Sequence, residues 1–403
     1  MIFRARIVVT MDGPPIENGA VAVSDGRVQV VGTFADVERL YSGTIVDLGE
    51  QVLLPGLINA HCHLDYTMMR GAINPPKSFT QWIERINALK RSLDDDDYLH
   101  AIAQGFAELK KWGTSTVLNI ESFPELLLKM PPPPIRTWWF YEMIDVRQRA
   151  ATHDLIAGAF MFFKDRPDWL GGFGLSPHAP YTASDALYRL ANECAHITGM
   201  PLTTHVAESN EEDAMFRNGG GALHAFMKKL GRNMSDCGGR SSLRRMLEEK
   251  LVDESWLLVH LNQLDKNDFS LLSSIPLNIV HCPHSHRYFA HAPFPFRKLH
   301  ELGMNISLGT DSLASNDALN LFAEMRTLQE NESWLTAEQI LATVTTHPAR
   351  ALQKENALGR ITPGAHADLI CVPFSGGLGE VYDAIINHQQ PIQWMMVEGE
   401  RTV

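Results

Sequence analysis

Histidines and carboxylates recur at the ends of apolar runs in this chain. His61 and His63 close one run as His-Cys-His. His205 closes another, with Glu208 three residues on, and His260 and Asp311 close two more. Residues i and i+2 of a strand share a face, so two imidazoles there can converge on one ion. A second His-x-His pair, His284 and His286, lies in VHCPHSHRYFAH after Pro283. Proline leaves a strand ladder, so that pair is expected on a loop rather than on the rigid frame a metal centre favours. Glu208 also opens the acidic stretch ESNEED, which suits a helix N-terminus, and Asp311 could cap a helix. A carboxylate buried after an apolar strand nevertheless needs a cation. His61, His63, His205 and Asp311 together offer three nitrogens and one oxygen. That set suits one divalent ion, zinc foremost, with iron or manganese as alternatives. Such an ion yields hydroxide at neutral pH. Asp311 is expected to take the water's proton, and His260 to polarise the water or steady the addition product. Glu208 would carry a proton to a ring nitrogen and the departing group. This is equipment for adding water to an electrophilic carbon.

These residues need a frame that brings them together. Eight apolar runs occur between Gln51 and Ser312, at 51–61, 114–120, 136–144, 171–178, 201–208, 256–263, 276–283 and 305–312. Amphipathic stretches such as DALYRLANECAHITG and FRKLHELG lie between them. Continuous apolar runs joined by helical crossovers predict parallel strands, and eight such units predict an α/β fold, a (β/α)8 TIM barrel. In that fold active sites sit at the C-terminal ends of strands. Six of the eight runs end in a metal-capable side chain, His178 and His281 among them. Both chain ends read differently. ARIVV, AVAV and RVQVVG near the start, and LICVP and WMMVEG near the finish, are short β-type runs between turns. They are expected to pair into one small β-sandwich. The boundaries are 1–55 for its N-terminal part, 56–355 for the barrel and 356–403 for its C-terminal part.

Composition narrows the partners. The chain has 403 residues, a formal net charge of −12 and five cysteines without a CxxC pair. An acidic protein with only short basic pairs points away from nucleic acid and anionic membranes. Neither a signal-type apolar stretch nor a membrane-length run is present in the sequence. Scattered cysteines argue for a reducing compartment, and the expected location is the cytoplasm. The expected partner is a small-molecule substrate.

LLPGLINAHCHLDYTMMRG, SPHAPYTAS, THVAES, LLVHLNQL, LGTDSLASND and LGRITPGAHADLICV resemble, in order and along nearly the whole chain, the signatures of the amidohydrolase superfamily. The nearest likeness is to its aminohydrolase branch. That branch holds S-adenosylhomocysteine/methylthioadenosine, guanine and aminodeoxyfutalosine deaminases and atrazine-type chlorohydrolases. The resemblance implies one metal on His61, His63, His205 and Asp311. It implies catalytic roles for Glu208, His260 and Asp311, and substrate contacts for His178 and Trp82. The fourth run carries no lysine for a two-metal bridge. The implied activity is hydrolytic deamination of an N-heteroaromatic, nucleoside-like compound, of adenosine or aminodeoxyfutalosine type, with release of ammonia. The alternative is hydrolysis of a different leaving group, a halide or a cyclic amide C–N bond. The branch is often oligomeric, which implies a homodimer. Where adenosyl deaminases carry a ribose-holding glutamate after Trp-Ile, this chain has Lys90 and Arg91. After the seventh run, His286 and Arg287 are expected to meet a polar or anionic part of the substrate, and Arg147 and Arg149 could meet a carboxylate.

Overall fold

A computed structural model describes residues 1–146, 152–163, 166 and 169–403. The chain opens with five strands, β1 (Ile2–Val8), β2 (Ile16–Ser24), β3 (Arg27–Thr33), β4 (Ile45–Asp47) and β5 (Gln51–Pro55). Nine more follow: β6 (Leu57–His63), β7 (Thr114–Glu121), β8 (Arg136–Met143), β9 (Gly171–Pro177), β10 (Leu202–Val206), β11 (Trp256–His260), β12 (Asn278–His281), β13 (Asn305–Leu308) and β14 (Asp311–Ser312). The last three are β15 (Leu369–Pro373), β16 (Met395–Val397) and β17 (Glu400–Arg401).

These strands form a mixed α/β fold with two separate sheets. The first five and last three make one sheet, ordered β17-β16-β15-β5-β1-β2-β3, with β4 also on β1. The two chain ends therefore meet, and β15 runs antiparallel to β5 over Gln51–Pro55. The second sheet is ordered β13-β12-β11-β10-β9-β8-β7-β6-β14, and its pairings are parallel. It curls. β13 and β14 belong to one short stretch, whose start pairs with β12 and whose end pairs with β6.

The run at 51–61 was expected to be one strand and is two. Its first half joins the mixed sheet of the chain ends, parallel to β1 and antiparallel to β15, and its second half joins the parallel sheet. Gly56 makes the crossing, because a Cβ there would lie 2.2 Å from Ser115 Oγ. Gly309 plays the matching part between β13 and β14, where a Cβ would lie 2.7 Å from His61 Cβ. Only glycine lets the last segment pass so close to the first.

Apolar runs fill the interior. Ile58, Leu118, Phe140, Leu257, Val259 and Val280 come from five strands of the parallel sheet and share one buried cluster. Burying each such side chain contributes about 1.5–3 kcal/mol. The two sheets are also pinned together by charge. Arg136, at the start of β8, donates from Nε and Nη2 to Asp368 at 2.8 and 3.2 Å, and both residues are buried. Among the described residues no helix is long and apolar enough to cross a membrane.

Candidate active site

The C-terminal ends of β6, β10, β11 and the β13–β14 segment bring His61, His63, His205, His260 and Asp311 into one buried group. One ligand atom each from His61, His63 and His205 lies within 4.8 Å of the others, and the same holds for His61, His260 and Asp311. Asp311 Oδ1 is 3.5 Å from His61 Nε2 and 3.9 Å from His63 Nε2. The backbone bends sharply to achieve this. Ala207, His260, Leu261 and Asp311 have φ of +52°, +81°, +51° and +56°. Such conformations cost about 1–3 kcal/mol each in side-chain-bearing residues and cluster at functional sites.

Neighbours fix each side chain. His205 Nδ1 donates to the His178 carbonyl at 2.9 Å, which leaves Nε2 as the free acceptor. Ser285 Oγ and Ser315 Oγ donate to Asp311 Oδ2 at 2.7 and 3.2 Å, and the Ser312 amide donates to Oδ1 at 2.7 Å. Glu208 faces His260, with Oε1 3.6 Å from Nε2. Its backbone is clamped from both sides. The buried Glu212 carboxylate accepts from the Ala207 and Glu208 amides at 2.8 and 2.9 Å, and Asn262 Nδ2 donates to the Glu208 carbonyl at 3.1 Å.

Electrostatics follow from burial. Burial and the neighbouring His61 push His63 down to about 3, and burial takes His260 to about 3. His205 is held well below its ordinary value by burial and the surrounding imidazoles. Neutral imidazoles are the form a metal takes. Burial opposes the charge on Asp311, but the hydrogen bond and charge of His61 hold its carboxyl well below the ordinary value. Burial and the Asp311 charge raise Glu208 well above its own. The site therefore favours charge on Asp311 and disfavours it on Glu208.

This set fits a divalent ion. His63 Nδ1 is buried without a hydrogen-bond partner, the imidazoles of His61, His63 and His205 converge beside one carboxylate, and serines already occupy the far carboxylate oxygen. The group opens into a cavity lined by His63, His178, His205, Glu208, His260 and Asp311. The opposite wall is apolar and aromatic, with Tyr66, Phe79, Trp82, Ile86, Tyr181 and Phe226.

The sequence-predicted residues fall into two groups. His178 and Trp82 line this cavity with the metal-capable set. His286 and Arg287 do not; they line a separate cavity beside Phe294 and Glu332. The stretch expected as a loop is a short helix, Pro283–Tyr288, because proline at the first position presets helical φ. From it Ser285 reaches Asp311, while the His286 ring rests 3.0 Å from the Asn262 amide that holds Glu208. Arg147 and Arg149 lie outside the described residues. Sequence reasoning passed over Glu212 and Glu142, and it met Lys90 and Ser285 without giving either a role. Only Glu212 had a signal, the Ser-x-x-Glu spacing of a capping box from Ser209.

The description "Amidohydrolase family" matches residues 52–400. The chain belongs to that family. It is 28% identical over 386 residues to a 5-methylthioadenosine/S-adenosylhomocysteine deaminase of Pyrococcus furiosus, covering 92% of this chain and 86% of the other. Helicobacter pylori aminofutalosine deaminase, solved with methylthio-coformycin, superposes with a TM-score of 0.87 at 22% identity and full coverage of both chains. An adenosine deaminase from Xanthomonas campestris with bound zinc gives a TM-score of 0.80 at 24% identity, covering 99% of this chain and 92% of that one. As a member of the family the protein is a hydrolase, and its buried histidine cluster is a candidate metal centre.

Proposed function

We propose that the protein is a zinc-dependent hydrolytic deaminase. It exchanges the exocyclic amine of an N-heteroaromatic, nucleoside-like substrate for a carbonyl and releases ammonia. The parallel sheet is read as a (β/α)8 barrel over 56–355, flanked by a β-sandwich of 1–55 and 356–403. One observation carries the reading: a buried Glu208, whose carboxyl is pushed up, sits 3.6 Å from His260, beside an Asp311 whose carboxyl is held down in a three-histidine group. Acid and base are separated by environment alone, as proton transfer at constant pH requires.

His61, His63, His205 and Asp311 hold the ion, which when bound supplies Lewis-acid charge and eases the ionisation of water. Asp311 accepts the proton of the attacking water through its Oδ1 side. Glu208 donates its proton to the ring nitrogen next to the reacting carbon, which makes that carbon electrophilic, takes up the hydroxyl proton of the adduct and passes it to the departing amine as the carbonyl forms; the first water proton, held on Asp311, then returns to Glu208. His260 hydrogen-bonds the oxygen that adds. His178 and Trp82 orient the ring, and the aromatic wall excludes bulk water. The names of the Pyrococcus, Helicobacter and Xanthomonas proteins support an amine as leaving group and an adenosine-type compound as substrate.

The test is a substrate screen of the metal-loaded protein with adenosine, methylthioadenosine, S-adenosylhomocysteine, aminodeoxyfutalosine, guanine, cytosine and a pterin. Conversion of a nucleoside to its hydroxy analogue supports the reading. Turnover confined to halogenated or cyclic-amide compounds would replace it with the other leaving group.

A further inference from the structure

Beside the metal-capable set, four polar side chains form a one-way chain of hydrogen bonds. Lys90 ends the helix Phe79–Lys90 and lines the cavity. Its ammonium can only donate, and it donates to the Tyr66 hydroxyl. Tyr66 OH lies 2.8 Å from Ser122 Oγ, and Ser122 Oγ donates to Glu142 Oε2 at 2.7 Å. Because Lys90 occupies the Tyr66 oxygen, the Tyr66 proton points to Ser122 and the Ser122 proton to Glu142. The chain ends at a carboxylate with one oxygen taken and one left. Glu142 Oε1 has no donor within hydrogen-bonding distance among the described residues. His178 Nε2 lies 3.9 Å from it. Both Glu142 and His178 line the cavity, and the Glu142 side chain is only 6% exposed.

A buried acceptor aimed into a binding cavity asks for a donor on the ligand. An adenine-type ring has ring nitrogens that only accept, and its one donor, the exocyclic amine, is the group handled by Glu208 and the metal. The remaining donors of a nucleoside are its sugar hydroxyls. We propose that Glu142 is a specificity residue whose Oε1 accepts a hydrogen bond from a ribose hydroxyl, with Lys90 positioning it through Tyr66 and Ser122. This rests on the deaminase reading above and adds the sugar to it. Lys90 counters the cost of a buried carboxylate without neutralising its free oxygen. Burial opposes the charge on Glu142, but His178 and Lys90 hold its carboxyl down to about 2.

The experiment compares adenosine with 2′,3′-dideoxyadenosine on the metal-loaded protein and on Glu142→Met, which keeps bulk and removes the acceptor. The wild type should favour adenosine in kcat/KM on the order of 10- to 100-fold, the worth of a hydrogen bond to a charged group. In Glu142→Met that preference should collapse, mainly through KM. Lys90→Met should lower it in part, and Lys90→Arg should restore it. Ser122→Ala, which removes almost no bulk, should weaken it as well and guards against a folding defect in the larger change. Calorimetric binding of inosine and 2′,3′-dideoxyinosine repeats the comparison without turnover. A wild type indifferent to the hydroxyls, or a preference that survives in Glu142→Met, overturns the assignment while leaving deamination intact. A Glu142-dependent preference in binding, without deamination of either nucleoside, would keep the assignment and sink the deaminase reading.

Discussion

Glu208 and Asp311 share one small volume and are driven in opposite directions by it. Burial and the Asp311 charge favour the protonated form of Glu208, the form that can donate. As pH rises through that raised value the proton is lost, and kcat/KM should fall on the alkaline side. Glu208→Gln should lower kcat by roughly 10²–10⁴-fold, the usual share of positioned proton transfer, and should lack that alkaline limb. An unchanged pH profile in the variant would remove Glu208 from the mechanism. Glu212 behaves differently, since its role is to hold backbone. Burial raises it from 4.5 to about 7. A raised carboxyl contributes stability that is complete below its ordinary value and lost as pH rises through the folded one. Between pH 4.5 and 7 the wild type should therefore lose roughly 3 kcal/mol that Glu212→Gln does not lose. Denaturant melts at several pH values measure the difference, and parallel curves would contradict it.

At the level of elements, the strands put the ligands in place and the connections hold them. The β13–β14 segment carries Asp311 only because Gly309 passes against His61, and the Pro283–Tyr288 helix then supplies Ser285 to its far oxygen. Outer partners of metal ligands are worth about 10–100-fold in affinity. Ser285→Ala should weaken zinc binding by that factor in a competition titration with a chromogenic chelator, with Ser315 limiting the loss. The same elements explain what the sequence could and could not say. The clustering of His61, His63, His205, His260 and Asp311 was legible because each closes an apolar run, and parallel-sheet geometry aligns the ends of such runs. The split of 51–61 at Gly56 was not legible, since both halves are equally apolar and the crossing depends on Ser115, far away in sequence. His286 and Arg287 read as substrate contacts because a charged stretch after a strand usually faces the site. Pro283 instead starts a helix that turns them toward another cavity. Glu142 lies two residues before the end of the aromatic run RTWWFYEMI, and nothing local marks a carboxylate held by a lysine 52 positions earlier.

Across the whole molecule, the mixed sheet ties the two chain ends to the parallel one. The Arg136–Asp368 pair is the buried polar contact of that junction. Arg136 also pairs with Glu398, so it is loss of the arginine that strands a buried charge: Arg136→Met should cost about 3–5 kcal/mol through Asp368, whereas replacing both Arg136 and Asp368 with apolar residues of similar volume should cost much less. Chemical denaturation of the single and double variants tests this; equal losses would show that packing rather than charge dominates. The metal should stabilise the folded state through its affinity for the assembled ligands, and a chelator should lower the Tm without abolishing the fold. The central claim is that one ion and one protonated glutamate act together on an amine-bearing carbon. It is tested most directly by titrating zinc into metal-free protein while following ammonia release from an adenosine-type nucleoside. Ammonia release should rise linearly and stop rising at one equivalent, and Glu208→Gln should stay near the baseline with its metal bound. Release that ignores the metal, or that continues undiminished in Glu208→Gln, would contradict the account.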